Sequence, residues 1–146
     1  MSKKIDSFEG KYRFLSNFYE VPIKFRNVVW PTSEHIFQAA KTENWCQIWD
    51  IHKAPTPGIA KKLGRKVNIR SDWDDVRISV MKNIIKMKFD QNEEIQKKLL
   101  ETGGYELIEG NTWNDTFWGV CRGKGENHLG KILMNYRNNL VFENSC

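Results

Sequence analysis

The sequence has no apolar run close to the roughly 20 residues that a membrane-spanning helix needs. It also lacks internal repeats, low-complexity segments and an apolar stretch near its start of the kind that a signal peptide carries. These absences argue against a membrane or secreted protein and predict a cytoplasmic location. The chain has 146 residues, and domains usually contain roughly 100–200. We therefore expect a single domain over residues 1–146.

Cysteine and histidine are scarce, with three residues of each. They stand at Cys46, Cys121, Cys146, His35, His52 and His128. No CxxC motif occurs and the histidines are scattered, so the spacing typical of structural zinc ligands is missing. An odd number of widely spaced cysteines does not suit a disulfide framework either. We expect free thiols, no metal and no cofactor.

Acidic residues are missing from a long segment of a chain whose formal net charge is +5. Residues 51–71 contain no Asp or Glu but six basic residues, namely Lys53, Lys61, Lys62, Arg65, Lys66 and Arg70. Two interpretations remain open, a solvated helix face and a surface that faces phosphate groups. A nucleic-acid partner is weakly supported, because the segment has no aromatic residue except His52 on which bases could stack.

Local signals predict more helices than strands. Residues 1–30 are expected to form strands and turns, since residues 21–30 are rich in β-branched and aromatic side chains. Helix starts are predicted at capping side chains, namely Thr32 or Ser33, Thr56 before Pro57, Asp72 and Asn127. Further signals predict helices over residues 72–89 and 93–102 and a short strand over 105–109. The predicted fold class is α+β, a compact and mainly helical domain with a few short strands.

Glycines and aromatic residues mark the most informative segment, residues 117–130. Gly119, Gly123 and Gly125 let backbone N–H groups approach a ligand closely, and Arg122 and Lys124 add positive charge. The segment leads into a predicted helix start, whose N–H groups suit an anion. It is thus a candidate phosphate site, although a flexible loop is the alternative. Tryptophans near such loops suggest a stacked planar ligand; they are Trp30, Trp73, Trp113 and Trp118.

Two acids are candidates for chemistry beside an aromatic cleft. Glu34 stands in the first turn of a predicted helix, and Asp115 precedes Phe117 and Trp118. Carboxylates in such a cleft act as general acid or base, or stabilise a positively charged sugar carbon. Either residue alone also fits a helix cap or a surface charge, and sequence spacing does not tell how far apart they lie.

The order of motifs resembles the NADAR (YbiA-like) family over roughly residues 8–140. The matching motifs are Phe14-Leu15-Ser16-Asn17-Phe18, Trp30-Pro31-Thr32-Ser33-Glu34-His35, Ala60-Lys61-Lys62-Leu63-Gly64-Arg65, Asp72-Trp73-Asp74, Lys88-Phe89-Asp90-Gln91-Asn92, Trp118-Gly119, Gly123-Lys124-Gly125 and Leu129-Gly130. Several motifs in the correct order are much more specific than any one of them.

The resemblance implies a compact, mainly helical α+β fold and hydrolysis of an N-glycosidic bond. In this family the bond joins a base to a ribosyl phosphate in riboflavin intermediates, or to ADP-ribose on guanine. The implied catalytic residues are Glu34 and Asp115. The implied substrate-binding residues are Asn17, Arg65, Trp73, Trp118, Gly119, Gly123, Lys124, Gly125 and Asn127.

A mechanism follows as a hypothesis. The phosphate binds the loop over residues 123–127 with help from Arg65, and the base stacks on Trp73 or Trp118. One of the two carboxylates stabilises the anomeric carbon and activates water, and the other holds the ribose or protonates the leaving nitrogen. The expected partner is a small phosphoribosyl or ADP-ribosyl substrate, with ADP-ribosylated DNA as a further possibility. The alternative function is a binding module for ADP-ribose or a related nucleotide, without catalysis.

Overall fold

A computed structural model describes residues 3–144 of the chain, so Cys146 lies outside the described residues. These residues divide into two compact units, one formed by residues 17–92 and the other by the chain up to residue 16 together with residues from 93 onward. The expectation of one domain over residues 1–146 stays a prediction. None of the helices in the described part of the chain is long and apolar enough to cross a membrane.

In chain order the described elements are β1 (Lys4–Ile5), a 3₁₀ helix (Gly10–Leu15), β2 (Ile23–Phe25), β3 (Val28–Trp30), α1 (Ser33–Ala39), α2 (Trp45–His52), α3 (Pro57–Gly64), α4 (Trp73–Asp90), α5 (Glu93–Glu101), β4 (Glu106–Leu107), β5 (Gly110–Asn111), β6 (Val120–Cys121) and α6 (His128–Asn144). The mainly helical α+β prediction is confirmed.

The first strands of the unit over residues 17–92 form an antiparallel hairpin. Ile23 pairs with Trp30, and both side chains are buried. Arg26 and Asn27 form the two-residue turn with φ angles of 53° and 63°, a left-handed pair that matches the twist of the strands. The strands expected within residues 21–30 are thus confirmed.

Residues 10–15 were expected among strands and turns, and that expectation is wrong. They form a 3₁₀ helix, in which the adjacent residues Phe14 and Leu15 are both buried. A strand would point two successive side chains to opposite faces. The burial of both residues therefore favours a helical turn.

Two of the predicted helix caps are confirmed. The hydroxyl of Thr32 accepts a hydrogen bond from the His35 backbone N–H at 3.1 Å, and that of Thr56 accepts from Ile59 N–H at 3.1 Å. Asp72 stands at the cap position of α4 but makes no capping bond with its side chain. Its carboxylate instead binds the guanidinium of Arg70, with Nε to Oδ1 at 2.6 Å.

The end of α4 is tied to the hairpin by two amide side chains. Gln91 accepts from the backbone N–H of Lys24 at 2.6 Å and donates to its carbonyl at 2.8 Å. Asn92 donates to the carbonyls of Pro22 and Lys88, at 3.0 and 2.8 Å. The amides thereby continue the backbone pairing of the strand, which explains why Gln91 and Asn92 follow α4 directly.

In the unit formed by the two ends of the chain, β1 pairs with β4 and β5 with β6, both parallel. Ile5 of β1 and Leu107 of β4 are register partners and lie in a core with residues of α5 and α6, namely Leu99, Leu129 and Leu133. Cys121 ends β6 as a buried free thiol, while the free Cys46 of α2 is exposed.

Candidate functional site

Glu34 lies in the first turn of α1, where Thr32 caps the helix. Its side chain is only 7% exposed, and its Oε2 accepts a hydrogen bond from Gln38 Nε2 at 2.5 Å. Burying a carboxylate is costly unless it is paired or hydrogen-bonded. The protein therefore holds this acid in one orientation, as a reactive or ligand-binding group requires.

Asn17 fixes the start of α1, and with it Glu34. The carbonyl of Asn17 accepts from the Glu34 backbone N–H at 3.0 Å, and its Oδ1 accepts from the Ser33 hydroxyl at 2.9 Å. Its Nδ2 points to the sulfur of Met81 at 3.7 Å. The bond from Glu34 satisfies one of the N–H groups that the first turn of a helix leaves without a helical partner, so Asn17 acts first as a positioning residue.

Lys41 is the main site residue that the candidate set missed. It follows α1, and burial lowers the pKa of its ammonium group, an effect that Glu34 opposes and that Arg65 and Lys61 reinforce. Positions 34, 38 and 41 fall on one face of a helix because they are four and three residues apart. That spacing is the signal from which Lys41 could have been found.

Arg65 is brought near this face by the packing of α3 on α1. A Cβ added to Gly64 would come within 1.9 Å of Gln38 Oε1, so a larger residue at this close approach of the two helices would displace the Gln38 side chain. The cations Lys61 and Arg65 each act electrostatically on a third cation, Lys41. Together with Glu34, they give this face one buried acid among several basic groups.

Trp73 begins α4 and packs against α1. Its ring lies 5.2 Å from that of Phe37, with the planes at 57°, and the residue is 6% exposed. Trp30 is buried to the same extent, whereas Trp113 is 56% exposed. Trp73 therefore contributes mainly to the core of its unit, with a small exposed edge for a ligand.

In the other unit, Asp115 organises the turn that leads to Trp118. Its Oδ1 accepts from the backbone N–H groups of Phe117 and Trp118, at 3.1 and 2.9 Å. Asn111 binds the backbone of Asp115 through both atoms of its amide, at 3.0 and 2.8 Å. The carboxylate is thus half-buried and held in place, with one oxygen used by the backbone.

Trp118 belongs to a small aromatic cluster. Phe117 meets Trp118 edge to face, with ring centroids 4.8 Å apart, and the ring of His128 lies 4.5 Å from that of Phe117. Trp118 is half-buried, which makes it more accessible to a base than Trp73. Phe117 and His128 were not among the candidate residues.

The glycine loop is a compact turn. Cys121 and Lys124 exchange backbone hydrogen bonds at 2.8 and 3.1 Å, around Arg122 and Gly123 with φ angles of 53° and 77°. Gly125 has a φ of +150°, and a Cβ there would lie 2.2 Å from the carbonyl oxygen of Gly119. The sequence therefore needs glycine at 125 for close backbone packing as well as for any ligand.

The start of α6 does not offer the free N–H groups that the phosphate interpretation assumed. His128 N–H donates to the Phe117 carbonyl at 3.1 Å, and Leu129 N–H donates to the Trp118 carbonyl at 3.0 Å. These carbonyls occupy the place that an anion would take. The part of the phosphate interpretation that relied on this helix start is thereby corrected, and the exposed Arg122, Gly123 and Lys124 remain as the accessible groups.

Asn127 uses its whole amide within the protein. Oδ1 accepts from the Glu109 backbone N–H at 3.0 Å, and Nδ2 donates to the Leu107 carbonyl at 2.9 Å. The residue is 8% exposed and has a φ of 55°. Asn127 stands directly before α6, as predicted, and its carbonyl accepts from Lys131 N–H at 3.0 Å. Its side chain, however, anchors the loop to the end of β4 and makes no capping bond.

The structure thus forms two groups from the predicted residues. Residues Asn17, Glu34, Arg65 and Trp73 belong to the unit over residues 17–92, and Asp115, Trp118, Gly119, Gly123, Lys124, Gly125 and Asn127 belong to the other unit. The catalytic roles of Glu34 and Asp115 stay a prediction.

Comparison with known proteins gives a consistent result. A family model described as the NADAR domain matches residues 5–141. N-glycosidase YbiA of Escherichia coli (strain K12) is 38% identical over 140 residues, which cover 94% of this chain and 87% of the relative. N-glycosidase Npun_R5314 of Nostoc punctiforme is 39% identical over 132 residues, 86% of this chain and 84% of the relative. The predicted family resemblance is confirmed.

A structure and a longer relative extend the comparison. The NMR structure of the E. coli protein YbiA aligns with a TM-score of 0.87 and 36% identity, covering 99% of this chain and 89% of that one. Riboflavin biosynthesis protein VVA0006 of Vibrio vulnificus is 39% identical over 135 residues. That match covers 90% of this chain but only 36% of the relative.

Proposed function

The chain belongs to the NADAR domain family, and from that membership we propose that it hydrolyses the N-glycosidic bond between a base and a ribosyl phosphate or ADP-ribose group. The enzyme class is that of an N-glycosyl hydrolase, in agreement with the N-glycosidases that match most of its length. The substrate is a phosphorylated small molecule. It is either a phosphoribosyl pyrimidine that resembles the intermediates of riboflavin synthesis, or an ADP-ribosylated guanine. We place the reaction in the cytoplasm.

The observation that carries the proposal is the buried carboxylate of Glu34 beside a group of cations. A glycosidase needs a fixed carboxylate at the anomeric carbon, where positive charge develops as the bond to nitrogen breaks. Gln38 and the capped start of α1 hold Glu34 in one orientation. Lys41, Lys61 and Arg65 supply the positive charge that a sugar phosphate requires.

In the proposed reaction, the oxygen of a water molecule bonds to the anomeric carbon while the bond from that carbon to the base nitrogen breaks. One proton of the water passes to a carboxylate, and that carboxyl group then gives the proton to the base nitrogen as it leaves, so that the carboxylate is ionised again at the end. We assign the proton transfer to Glu34. Asp115, whose Oδ1 already accepts from two backbone N–H groups, holds the ribose hydroxyls through its other oxygen, Oδ2.

The base stacks on Trp118 in this proposal. Trp118 and Trp73 are the two tryptophans predicted to stack on the base. Trp118 is half-buried and belongs to an aromatic cluster with Phe117 and His128, whereas Trp73 is covered by Phe37. Arg122 and Lys124 lie at the exposed tip of the glycine loop, where they contact a phosphate. Asn127, Gly119 and Gly125 act by holding this loop in shape.

The test is base release by Glu34→Gln and Asp115→Asn, measured on phosphoribosyl pyrimidines, ADP-ribose, NAD and ADP-ribosylated DNA. Glu93→Gln is the matched control, since Glu93 is an exposed acid at the start of α5. We expect Glu34→Gln to lose about 100-fold or more in kcat, as removal of a general acid or base does, and the control to keep its activity. Full activity of both folded site variants would overturn the mechanism.

Calorimetry with ADP-ribose, followed by product analysis, separates this proposal from the binding-module alternative. Tight binding without release of a base from any of the four substrates would favour a module that recognises the nucleotide. In that case Glu34→Gln would bind ADP-ribose as the parent does, because a binding module needs the loop and the aromatic residues but not the acids.

A further inference from the structure

Helix α2 carries two tryptophans that its own unit leaves exposed. Trp45 is 63% exposed and Trp49 is 40% exposed, although tryptophan is usually highly buried. With Lys53 they stand at positions i, i+4 and i+8, which follow one side of a helix. We name these three residues the α2 stripe.

The ring of Trp49 packs against the side chain of His52. The ring of His52 meets it edge to face, with centroids 5.2 Å apart, and meets the buried Trp30 at 4.7 Å. His52 Nε2 also contacts the Val29 carbonyl at 3.0 Å. An exposed ring that is held in one position loses little freedom when a planar group stacks on it.

Basic residues are frequent in the segment that contains the α2 stripe. Residues 42–71 contain six basic and two acidic residues, a net charge of +4 out of the +5 of the whole chain. The two acids are Glu43 and Asp50. On α3, which packs against α2, Lys62 is exposed, and Lys66 follows it two residues past the helix end.

From the exposed rings and this charge we infer that the α2 stripe binds single-stranded nucleic acid. Neighbouring bases stack on Trp45 and Trp49, which are about 6 Å apart along the helix axis. Lys53, Lys62 and Lys66 contact the phosphates. Stacking on aromatic rings next to cations is the usual chemistry of sequence-tolerant single-strand binding.

A protein partner fits this surface less well. The centre of a protein–protein interface is depleted of charged residues, whereas a lysine lies within the stripe itself. The basic segment taken alone gave no reason to expect base stacking. In the structure, however, helix α2 supplies the aromatic side chains that the basic segment lacks, namely Trp45 and Trp49. The inference does not depend on the proposed glycosidase reaction.

The experiment measures fluorescence anisotropy of fluorescein-labelled dT20 and rU20 with the full chain at several salt concentrations. We expect binding that weakens steeply with salt, as phosphate contacts require. The substitutions Trp45→Ala and Trp49→Ala are each expected to weaken it about 5- to 100-fold. Phe142→Ala is the matched control, because Phe142 is a 71% exposed aromatic residue on α6, and it should bind as the parent does.

The two oligonucleotides distinguish DNA from RNA as the preferred strand, and either preference supports the inference. Equal affinity of the tryptophan variants and the parent would overturn the inference, because the nucleic acid would then bind without the two rings of the α2 stripe. Absence of binding to both strands would also overturn it. So would a concentration-dependent dimer that Trp45→Ala abolishes, because the stripe would then join two copies of the chain.

Discussion

At the scale of single residues, polar side chains hold much of this backbone in place. Asn17 binds the start of α1, Asp115 closes the turn before Trp118, and Asn127 joins the glycine loop to β4. A sequence pattern identifies such residues because they are polar and stand at turns. It does not tell whether their atoms meet the backbone or a ligand, since that depends on neighbours distant in sequence.

Lys88 is the most unusual single residue in the described chain. Its side chain is fully buried in α4, with the ammonium 5.9 Å from the Tyr19 ring centroid and 5.2 Å from that of Phe89. Burial lowers the pKa of Lys88 from 10.5 to about 7. Between these pH values the unfolded chain holds a proton that the folded chain has released. The free energy of unfolding should therefore rise with pH across that window.

We predict that the free energy of unfolding of Lys88→Met, taken relative to the parent, is higher at pH 6.5, where the parent carries a buried charge, than at pH 10, by several kcal/mol. Urea unfolding at the two pH values measures it. Lys82→Met is the control, because Lys82 is exposed on the same helix and should show no such change. An equal difference at both pH values would contradict the prediction.

At the scale of elements, helix starts were the most predictable feature. The hydroxyl caps of α1 and α3 are local signals, since the capping side chain and its N–H partner are three residues apart. Helix α2 was missed, although Asn44 caps it by accepting from Gln47 N–H at 3.1 Å. Its first two turns carry three exposed apolar residues, Trp45, Cys46 and Trp49, which obscure the apolar periodicity.

The site itself was less predictable than the elements. The motifs identified Glu34 and Asp115 as candidates. Lys41 shares a helical spacing with Glu34 and Gln38, but its burial and its interaction with Arg65 and Lys61 arise only in the folded chain. The N–H groups at the start of α6 were expected to be free and are bonded to carbonyls of residues 117 and 118. Both outcomes depend on contacts between elements, which local patterns do not contain.

The contact between α6 and β4 gives an element-scale prediction. A Cβ at Gly130 would lie 2.1 Å from the Leu107 carbonyl oxygen and 2.4 Å from Asn127 Nδ2. Gly130→Ala should therefore push α6 from β4 and lower the free energy of unfolding by about 1–3 kcal/mol. Urea unfolding of the variant and the parent gives the value.

Gly58→Ala is the matched control for that substitution. Gly58 lies in α3, where an added Cβ would meet only the Thr56 hydroxyl at 3.8 Å. Alanine is the better helix former, so this variant should be as stable as the parent or more stable by about 0.5–1 kcal/mol. Equal destabilisation by both substitutions would show that the close approach at Gly130 is not the cause.

At the scale of the whole molecule, the positive charge is concentrated in one part of the sequence. Glu34, Arg65 and Lys61 all act electrostatically on Lys41, so a phosphorylated substrate would be attracted to the proposed site as well as to the α2 stripe. Attraction between charges falls as salt shortens the Debye length, from about 10 Å at 0.1 M to about 3 Å at 1 M.

We predict that the KM for the substrate found by the base-release screen rises several-fold between about 0.05 and 0.5 M NaCl, with little change in kcat. Steady-state kinetics of Arg65→Gln should show a higher KM and a weaker dependence on salt. Lys97→Gln removes an exposed charge on α5 that pairs with Glu93 and should behave like the parent. A salt dependence that is unchanged in Arg65→Gln would argue against a phosphate contact at that residue.

The division of the chain into a unit over residues 17–92 and a unit formed by the segments on either side of it has a consequence for synthesis on the ribosome. Strand β1 is made first, but its partner β4 lies about 100 residues later in the chain. At about 5–20 residues per second, β1 waits roughly 5–20 s for that partner to be translated. Residues 17–92 form a continuous unit that can fold during this interval. The apolar side chains of Ile5 and Phe8 then remain without their final core until the last helix leaves the exit tunnel.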